Sequence, residues 1–319
     1  MKIVFLDAAT LGKDLDLSGF GALGEVKEYD YSTKEETRER VKDADAIVVN
    51  KVEMCEETLK EAENLKLICV TATGTNNLDK EYLAKRKIAW RNVAGYSTES
   101  VAQHTFAILF YLLEHLPYYD GYVKSGKYIN DKSFTHFSNV FHELSQMTWG
   151  IIGLGAIGRR VADIAKGFGC HVIYYSASGK KPQEGYEQVD FDTLLKESDI
   201  VSIHAPLNED TQGLMDKEAF ARMKKSAILI NVGRGPIVVE NDLKEALNCG
   251  EIAAAGLDVL SVEPMAEDNP LLAVKEKDRL FITPHIAWAS VEARKRLMDI
   301  VFHQMKEFFD DTLQSSPLG

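Results

Sequence analysis

The chain lacks any uncharged apolar run of the roughly 18 residues that a membrane span requires. The longest candidate, Ser100 to Leu113, contains Gln103 and His104 and falls short, so no membrane association is expected. The opening stretch MKIVFLDAAT is too briefly apolar for a signal peptide and is interrupted by Asp7. Cysteine is sparse: Cys55, Cys69, Cys170 and Cys249 lie far apart with no CxxC spacing. Three of them sit in or beside apolar runs, which reads as buried free thiols in a reducing cytosol and not as a disulfide framework. No metal site is expected. Positive charge is also short, with 37 Lys and Arg against 49 Asp and Glu and a formal net charge of −12. That balance argues against a broad nucleic-acid surface, although it leaves room for a local basic pocket. There is no internal repeat or low-complexity segment, and a cytoplasmic location is the expectation.

What is present is a chain of 319 residues, 45% apolar and 27% charged. This is the composition of a folded globular protein, long enough for two domains with a core each. In the first ninety residues, KIVFLD, DAIVVN, LKLICVTA and KIAWRNV read as short buried strands. Helical stretches alternate with them, one opened by a capping box in which Ser32 precedes Glu35 by three residues. Such alternation implies a parallel sheet covered by helices. A long apolar helix follows, STESVAQHTFAILFYLLEHLP, stopped by Pro117. Ala102, Phe106, Leu109, Leu113 and Leu116 form one stripe, and Val101, Ile108 and Tyr111 widen it. The helix should therefore be buried on most sides, between domains or between subunits. Tyr118 to Thr148 is polar and aromatic with little periodicity, as suits an arm or a long connection.

A second alternating set begins at Trp149: GIIGLG, HVIYYS, DIVSIHAP, AILINVG, AAAGLDV and LFITPHIA. The final helix, Val291 to Phe309, has no strand to follow and should return to the first domain. The organisation expected is an α/β protein with two doubly wound parallel-sheet domains. One is a smaller, flavodoxin-like substrate-binding domain of residues 1–97 and 288–319, and the other a dinucleotide-binding Rossmann domain of residues 98–287.

Gly153, Gly155 and Gly158 follow an apolar strand and open a helix, the context that gives G-x-G-x-x-G its meaning. One glycine serves the tight turn, one the close approach of the pyrophosphate, and one the packing of helix on strand. The helix start adds free N–H groups and a positive dipole end. About 20 residues on, NAD-binding versions place an acid on the ribose hydroxyls. Here the position falls at Ser176, in YYSASGKK. A hydroxyl bonds a ribose but does not repel a 2′-phosphate, and Lys180 and Lys181 stand nearby. NADH is expected to be preferred by a narrow margin, and NADPH is permitted.

Three polar residues occupy unusual settings further on: Arg234 in INVGRGPIV, Glu263 before a proline in GLDVLSVEP, and His285 after a proline in FITPHIAWAS. Alone, each is compatible with a surface turn, a loop acid or a cap. Together they lie at the carboxyl ends of strands in a doubly wound sheet, where ligands bind. The segments GLGAIGRRVA, HAPLNEDTQGL, INVGRGPIV, AAAGLDVLSVEP and TPHIAWAS, in this order, resemble the D-isomer-specific 2-hydroxyacid dehydrogenase family over nearly the whole chain.

The resemblance implies that Arg234, Glu263 and His285 are catalytic. Arg234 would fix the 2-oxo acid with its planar fork of donors. His285 as imidazolium would protonate the oxygen while hydride arrives at carbon, with Glu263 orienting the ring and favouring its charge. It also implies that the TATGTNN loop presents the N–H groups of Ala72, Thr73 and Gly74 to the substrate carboxylate, and that Asp258 contacts the nicotinamide carboxamide. The cofactor set implied comprises Gly153, Gly155, Ala156, Ile157, Gly158, Ser176, His204, Ala205, Pro206, Thr211, Val232, Gly233, Arg234, Asp258, His285 and Ala287. A homodimer paired through the helix after Thr98 and the arm to Thr148 is expected.

Formate dehydrogenases carry glutamine where Glu263 stands. Phosphoglycerate dehydrogenases commonly add a C-terminal regulatory domain, whereas this chain stops soon after its last helix. TATGTNN, NVAGYSTESVAQHT and PHIAWAS look most like hydroxypyruvate reductases (glycerate dehydrogenases). A dehydrogenase of D-lactate or a bulkier D-2-hydroxy acid is the alternative. An NAD(H)-sensing binding protein, like the transcriptional corepressors built on this fold, is a more distant one.

Overall fold

The computed structural model describes residues 1–179 and 183–314. The chain divides into two compact units, Met1–Ser97 together with the chain from Ala289 onward, and Thr98–Trp288. Among the described residues no helix is long and apolar enough to cross a membrane.

In the first unit, β1 (Lys2–Phe5), β2 (Glu25–Glu28), β3 (Ala46–Val49), β4 (Leu67–Val70) and β5 (Ala89–Asn92) form a five-stranded sheet in the order β2-β1-β3-β4-β5. All its pairings are parallel, and the order is that of flavodoxin-like folds. Strands β3 and β4 are buried along their whole length, because helices cover both faces of a parallel sheet and leave no polar side. Strand β2 reads EVKE and is mostly exposed. It has no apolar pattern to betray it in the sequence, and its charges suit an edge that should recruit no further strand.

The helices of this unit begin with α1 (Lys34–Val41), α2 (Glu56–Leu59) and α3 (Lys80–Lys85). The capping box on α1 sits one residue later than the sequence pattern suggests. Thr33 Oγ1 accepts from Glu36 N at 3.2 Å, and Glu36 Oε2 accepts from Thr33 N at 2.9 Å. Ser32 is drawn away from that role because its hydroxyl donates to Leu6 O and accepts from Arg40.

The second unit opens with α4 (Thr98–Leu113) and α5 (Leu116–Lys124). Helix α4 ends before Pro117, through a left-handed His115 at φ 51°. Pro117 falls in the first turn of α5, where its missing N–H costs nothing. The stretch expected to be irregular from Tyr118 is thus helical as far as Lys124. The girth of α4 is absorbed inside its own unit: Phe106 lies 4.8 Å from Trp149, ring to ring. Ile108 fills the space that a Cβ on Gly256 would need, 2.0 Å away.

Strands β6 (Thr148–Ile152), β7 (His171–Tyr175), β8 (Glu187–Gln188), β9 (Ile200–Ile203), β10 (Ile228–Asn231), β11 (Ala254–Leu257) and β12 (Leu280–Ile282) make a seven-stranded sheet ordered β12-β11-β10-β9-β6-β7-β8. Helices α6 (Ala156–Gly167), α7 (Phe191–Glu197), α8 (Lys217–Arg222) and α9 (Glu240–Cys249) connect them. The order is the Rossmann order extended by one strand, and its direction reverses at β6 and β9, which pair directly. That reversal opens a crevice at the carboxyl ends of those two strands.

The last helix, α10 (Val291–Gln314), belongs to the first unit. Arg294 donates to Leu11 O at 2.8 Å and holds both carboxylate oxygens of Asp14. Arg296 donates to Tyr96 O and Gln304 to Asn92 O. Phe302 meets Phe20 edge to face at 5.5 Å.

The observed box predicts that Thr33→Ala weakens this unit by about 1 kcal/mol. Glu36→Ala should act in the same direction and Glu35→Ala should have a smaller effect, as read from the first transition in urea unfolding followed by circular dichroism.

Candidate active site

The three glycines after β6 meet different surroundings. Gly153 has φ +93°, and a Cβ there would lie 2.7 Å from Ala205 N. A Cβ on Gly158 would lie 2.2 Å from Gly153 O, so α6 packs directly on the turn. A Cβ on Gly155 would meet nothing within 4 Å. The open space over Gly155, at the N-cap of α6, is what a pyrophosphate needs, and the amides of Ala156 and Ile157 stand in the first turn. The loop fits a dinucleotide.

Ser176 directly follows β7, with its hydroxyl 3.2 Å from that of Ser178. Lys180 and Lys181 lie outside the described residues. His204, Ala205 and Pro206 follow β9, and His204 N donates to Ile152 O across the switch point. Burial pushes the His204 imidazole down to about 3, so the ring is neutral. Its Nε2 lies 2.9 Å from Ser202 Oγ, and among the described residues its buried Nδ1 has no hydrogen-bond partner. Thr211 is turned inward: its hydroxyl donates to Pro206 O at 2.7 Å and so braces the loop.

Val232, Gly233 and Arg234 follow β10. Asn231 shapes this turn, accepting from Gly233 N at 3.0 Å and donating to Arg234 O at 2.9 Å. Arg234 Nη1 donates to Gly233 O at 2.7 Å. The next residue, Gly235, has no room for a side chain, since a Cβ would lie 1.9 Å from Leu260 C. Leu260 N in turn donates to Glu263 Oε1 at 2.9 Å. The arginine turn therefore lies directly against the backbone of the loop that carries Glu263.

Asp258, at the end of β11 and 1% exposed, organises the turn that carries His285. Its Oδ1 accepts from Thr283 Oγ1 at 2.6 Å and from Ile286 N at 2.8 Å, and its Oδ2 from Ala287 N at 2.9 Å. Its carbonyl accepts from His285 N at 2.9 Å. These bonds bracket His285 and hold it at φ +55°, a left-handed conformation uncommon outside glycine. The carboxylate expected to face a nicotinamide carboxamide thus accepts from the Thr283 hydroxyl and from the two amides that follow His285. Thr283 was not singled out by sequence. Its only local signal is a hydroxyl two residues before the histidine.

His285 Nδ1 lies 2.7 Å from Glu263 Oε2. A carboxylate only accepts, so Nδ1 carries the proton. Among the described residues Nε2 has no hydrogen bond, and the two side chains are 29% and 31% exposed. One ring nitrogen is oriented and the other is open, the arrangement of a general acid or base.

The second unit thus gathers the glycine loop, Arg234, Asp258, Glu263, His285 and Ala287. Ala72, Thr73 and Gly74 belong to the first unit, just beyond β4. There Ala72 O accepts from Val93 N and Thr73 O from Asn92 Nδ2. The N–H groups of all three residues carry no hydrogen bond among the described residues.

Residues 106–287 match the family model for the D-isomer specific 2-hydroxyacid dehydrogenase, NAD binding domain. The chain is 40% identical over 326 residues to a hydroxypyruvate reductase of Blautia hydrogenotrophica, covering 100% of this chain and 99% of that protein. It is 37% identical to a glycerate dehydrogenase of Methylorubrum extorquens, over 96% of each. Among solved structures, the D-lactate dehydrogenase from Aquifex aeolicus complexed with NAD and lactic acid has a TM-score of 0.81 at 29% identity. The match covers 98% of this chain and 96% of that one.

The contact at Gly235 yields a test. Gly235→Ala should displace the arginine turn from Leu260, lowering stability by about 1–3 kcal/mol, the usual cost of overpacking. Thermal unfolding checks this, and the pairing of Glu263 with His285 should loosen with it.

Proposed function

Because the chain belongs to the D-isomer specific 2-hydroxyacid dehydrogenase family, we propose that it reduces hydroxypyruvate or glyoxylate to the D-2-hydroxy acid and catalyses the reverse reaction. The reaction class, NAD-dependent reduction of a small 2-oxo acid to a D-2-hydroxy acid, follows from that membership. The observation that carries the reading is the 2.7 Å Glu263–His285 bond that leaves Nε2 open. The names of the relatives, hydroxypyruvate reductase and glycerate dehydrogenase, support the substrate.

The roles follow from the chemistry of each group. The bound nicotinamide supplies the hydride. The glycine loop and the first-turn amides of α6 hold the pyrophosphate, which makes the second unit the cofactor domain. Arg234 fixes the carboxylate or carbonyl oxygen of the substrate with paired donors. The amides of Ala72, Thr73 and Gly74, which carry no hydrogen bond among the described residues, support a carboxylate contact from the first unit. His285 delivers the proton from Nε2 in reduction and accepts it in oxidation. Glu263 holds the ring at Nδ1 and so orients Nε2.

Ser176 supports a narrow preference for NADH. It does not repel a 2′-phosphate, and no arginine follows it to reward one. The difference amounts to about 1–2 kcal/mol, or about five- to thirtyfold in kcat/KM. The arm supports a homodimer: Ile129, Phe134, Phe137 and Val140 are each 80% exposed or more, an apolar density unusual on a free surface. A cytoplasmic location fits the acidic, thiol-bearing chain.

A panel of 2-oxo acids assayed with NADH and with NADPH tests the reading. The highest kcat/KM should fall on hydroxypyruvate or glyoxylate with NADH. Preference for pyruvate or a bulkier acid would move the protein to the D-lactate type, and failure to turn over any of them would leave a binding protein. Glu263→Gln should lower kcat by about ten- to hundredfold, because an amide can turn either its oxygen or its nitrogen to Nδ1 and no longer holds one tautomer of the ring. A wild-type kcat would remove Glu263 as the partner that orients His285. Light scattering at micromolar concentration should return twice the chain mass, and a monomeric mass would refute the dimer.

A further inference from the structure

Helix α4 is apolar along most of its length, yet two polar side chains one turn apart on it reach the turn that bears His285. Ser100 Oγ donates to Ala287 O at 2.6 Å. His104 Nε2 lies 3.0 Å from Thr283 Oγ1 and 3.6 Å from Asp258 Oδ1. A threonine hydroxyl has a single proton, and Thr283 gives it to Asp258 Oδ1. Toward His104 the hydroxyl oxygen is therefore the acceptor, and Nε2 carries the N–H. The donors run in one direction, from His104 to Thr283 to the Asp258 carboxylate. The same carboxylate takes the amides of Ile286 and Ala287.

From this geometry we infer that His104 is a positioning residue for the reaction. It fixes Thr283 and Asp258, and through them the left-handed backbone of His285 and the direction in which Nε2 presents its proton. Ser100 grips the far end of the same turn. Burial lowers the His104 pKa, against the pull of Asp258, so the ring acts as a neutral donor and leaves the charge on the carboxylate. A histidine that only filled space here would be replaced without loss by leucine, a good helix former of similar bulk. Removing the donor instead frees one of the two anchors of a hydroxyl that is 9% exposed, and the turn gains freedom at the reacting group.

The inference rests on His285 being the proton donor, so the test separates the two ideas. His104→Leu, His104→Gln and Thr283→Val are compared with the wild type. Three readouts are taken: steady-state kinetics, NADH affinity by fluorescence, and hydrogen exchange at the amides of His285, Ile286 and Ala287. His104→Leu should lower kcat by about ten- to hundredfold, leave NADH affinity within about twofold, and speed exchange at these amides. His104→Gln restores a donor and should recover most of both effects, and Thr283→Val should reproduce the leucine variant. Wild-type kcat and exchange in His104→Leu would overturn the proposal. So would a glutamine variant that binds NADH yet is no better than leucine. If His104→Leu does not fold, His104→Gln and Thr283→Val decide by the same criteria. If the wild type reduces no 2-oxo acid, the assigned reaction fails, and exchange alone still decides for or against His104.

Discussion

A buried carboxylate without partners is among the least tolerable groups in a protein interior. Asp258 turns that intolerance into a constraint on its surroundings. Satisfying it requires a hydroxyl and two backbone amides to converge at the end of β11. The turn leaving β12 supplies all three. Once that turn is gathered, His285 has little choice of backbone conformation, and its ring comes to Glu263. Among the described residues the carboxylate is held by a hydroxyl and two amides, and Nε2 of His285 carries no hydrogen bond.

The doubly wound sheet makes this convergence possible. Parallel strands end on one side of the sheet, so the segments after β6, β9, β10, β11 and β12 all emerge there. The glycine loop, the His204 segment, Arg234, Asp258 and His285 come from separate parts of the chain, yet each needs only a short excursion. Gly235 adds a second tie, because its missing side chain lets the arginine turn rest on the backbone that carries Leu260.

Features that impose a local backbone demand were legible in the sequence. Gly153 and Gly158 declare themselves because a left-handed turn or a close backbone leaves no place for a side chain, and the core strands do so because burial on both faces leaves an unbroken apolar run. Strand β2 was invisible, since an edge strand of alternating charges owes its conformation to β1 alone. The capping box was off by one because Ser32 and Thr33 are equally good caps locally. The distant carbonyl of Leu6 and the Arg40 guanidinium separate them. Pro117 was read as a stop when it is a start, for a proline marks a helix boundary without telling which side of it the helix lies on. Thr283 and His104 were missed for a related reason. The bond that gives them meaning spans 179 residues of sequence, and neither residue type is unusual in its own neighbourhood.

The division of the chain has a consequence for how the protein is made. The second unit is one continuous stretch, whereas the first is assembled from segments on either side of it. During synthesis from the amino terminus, the sheet of β1 to β5 emerges long before the helix that completes its unit. Throughout that interval Asp14 lacks Arg294 and Phe20 lacks Phe302. The intervening unit, whose strands are all consecutive in the chain, can close while the ribosome is still extending α10. The order of assembly is then the reverse of the order of synthesis: the later-made unit matures first, and the nascent first unit waits, incompletely covered and open to chaperones, for its last helix.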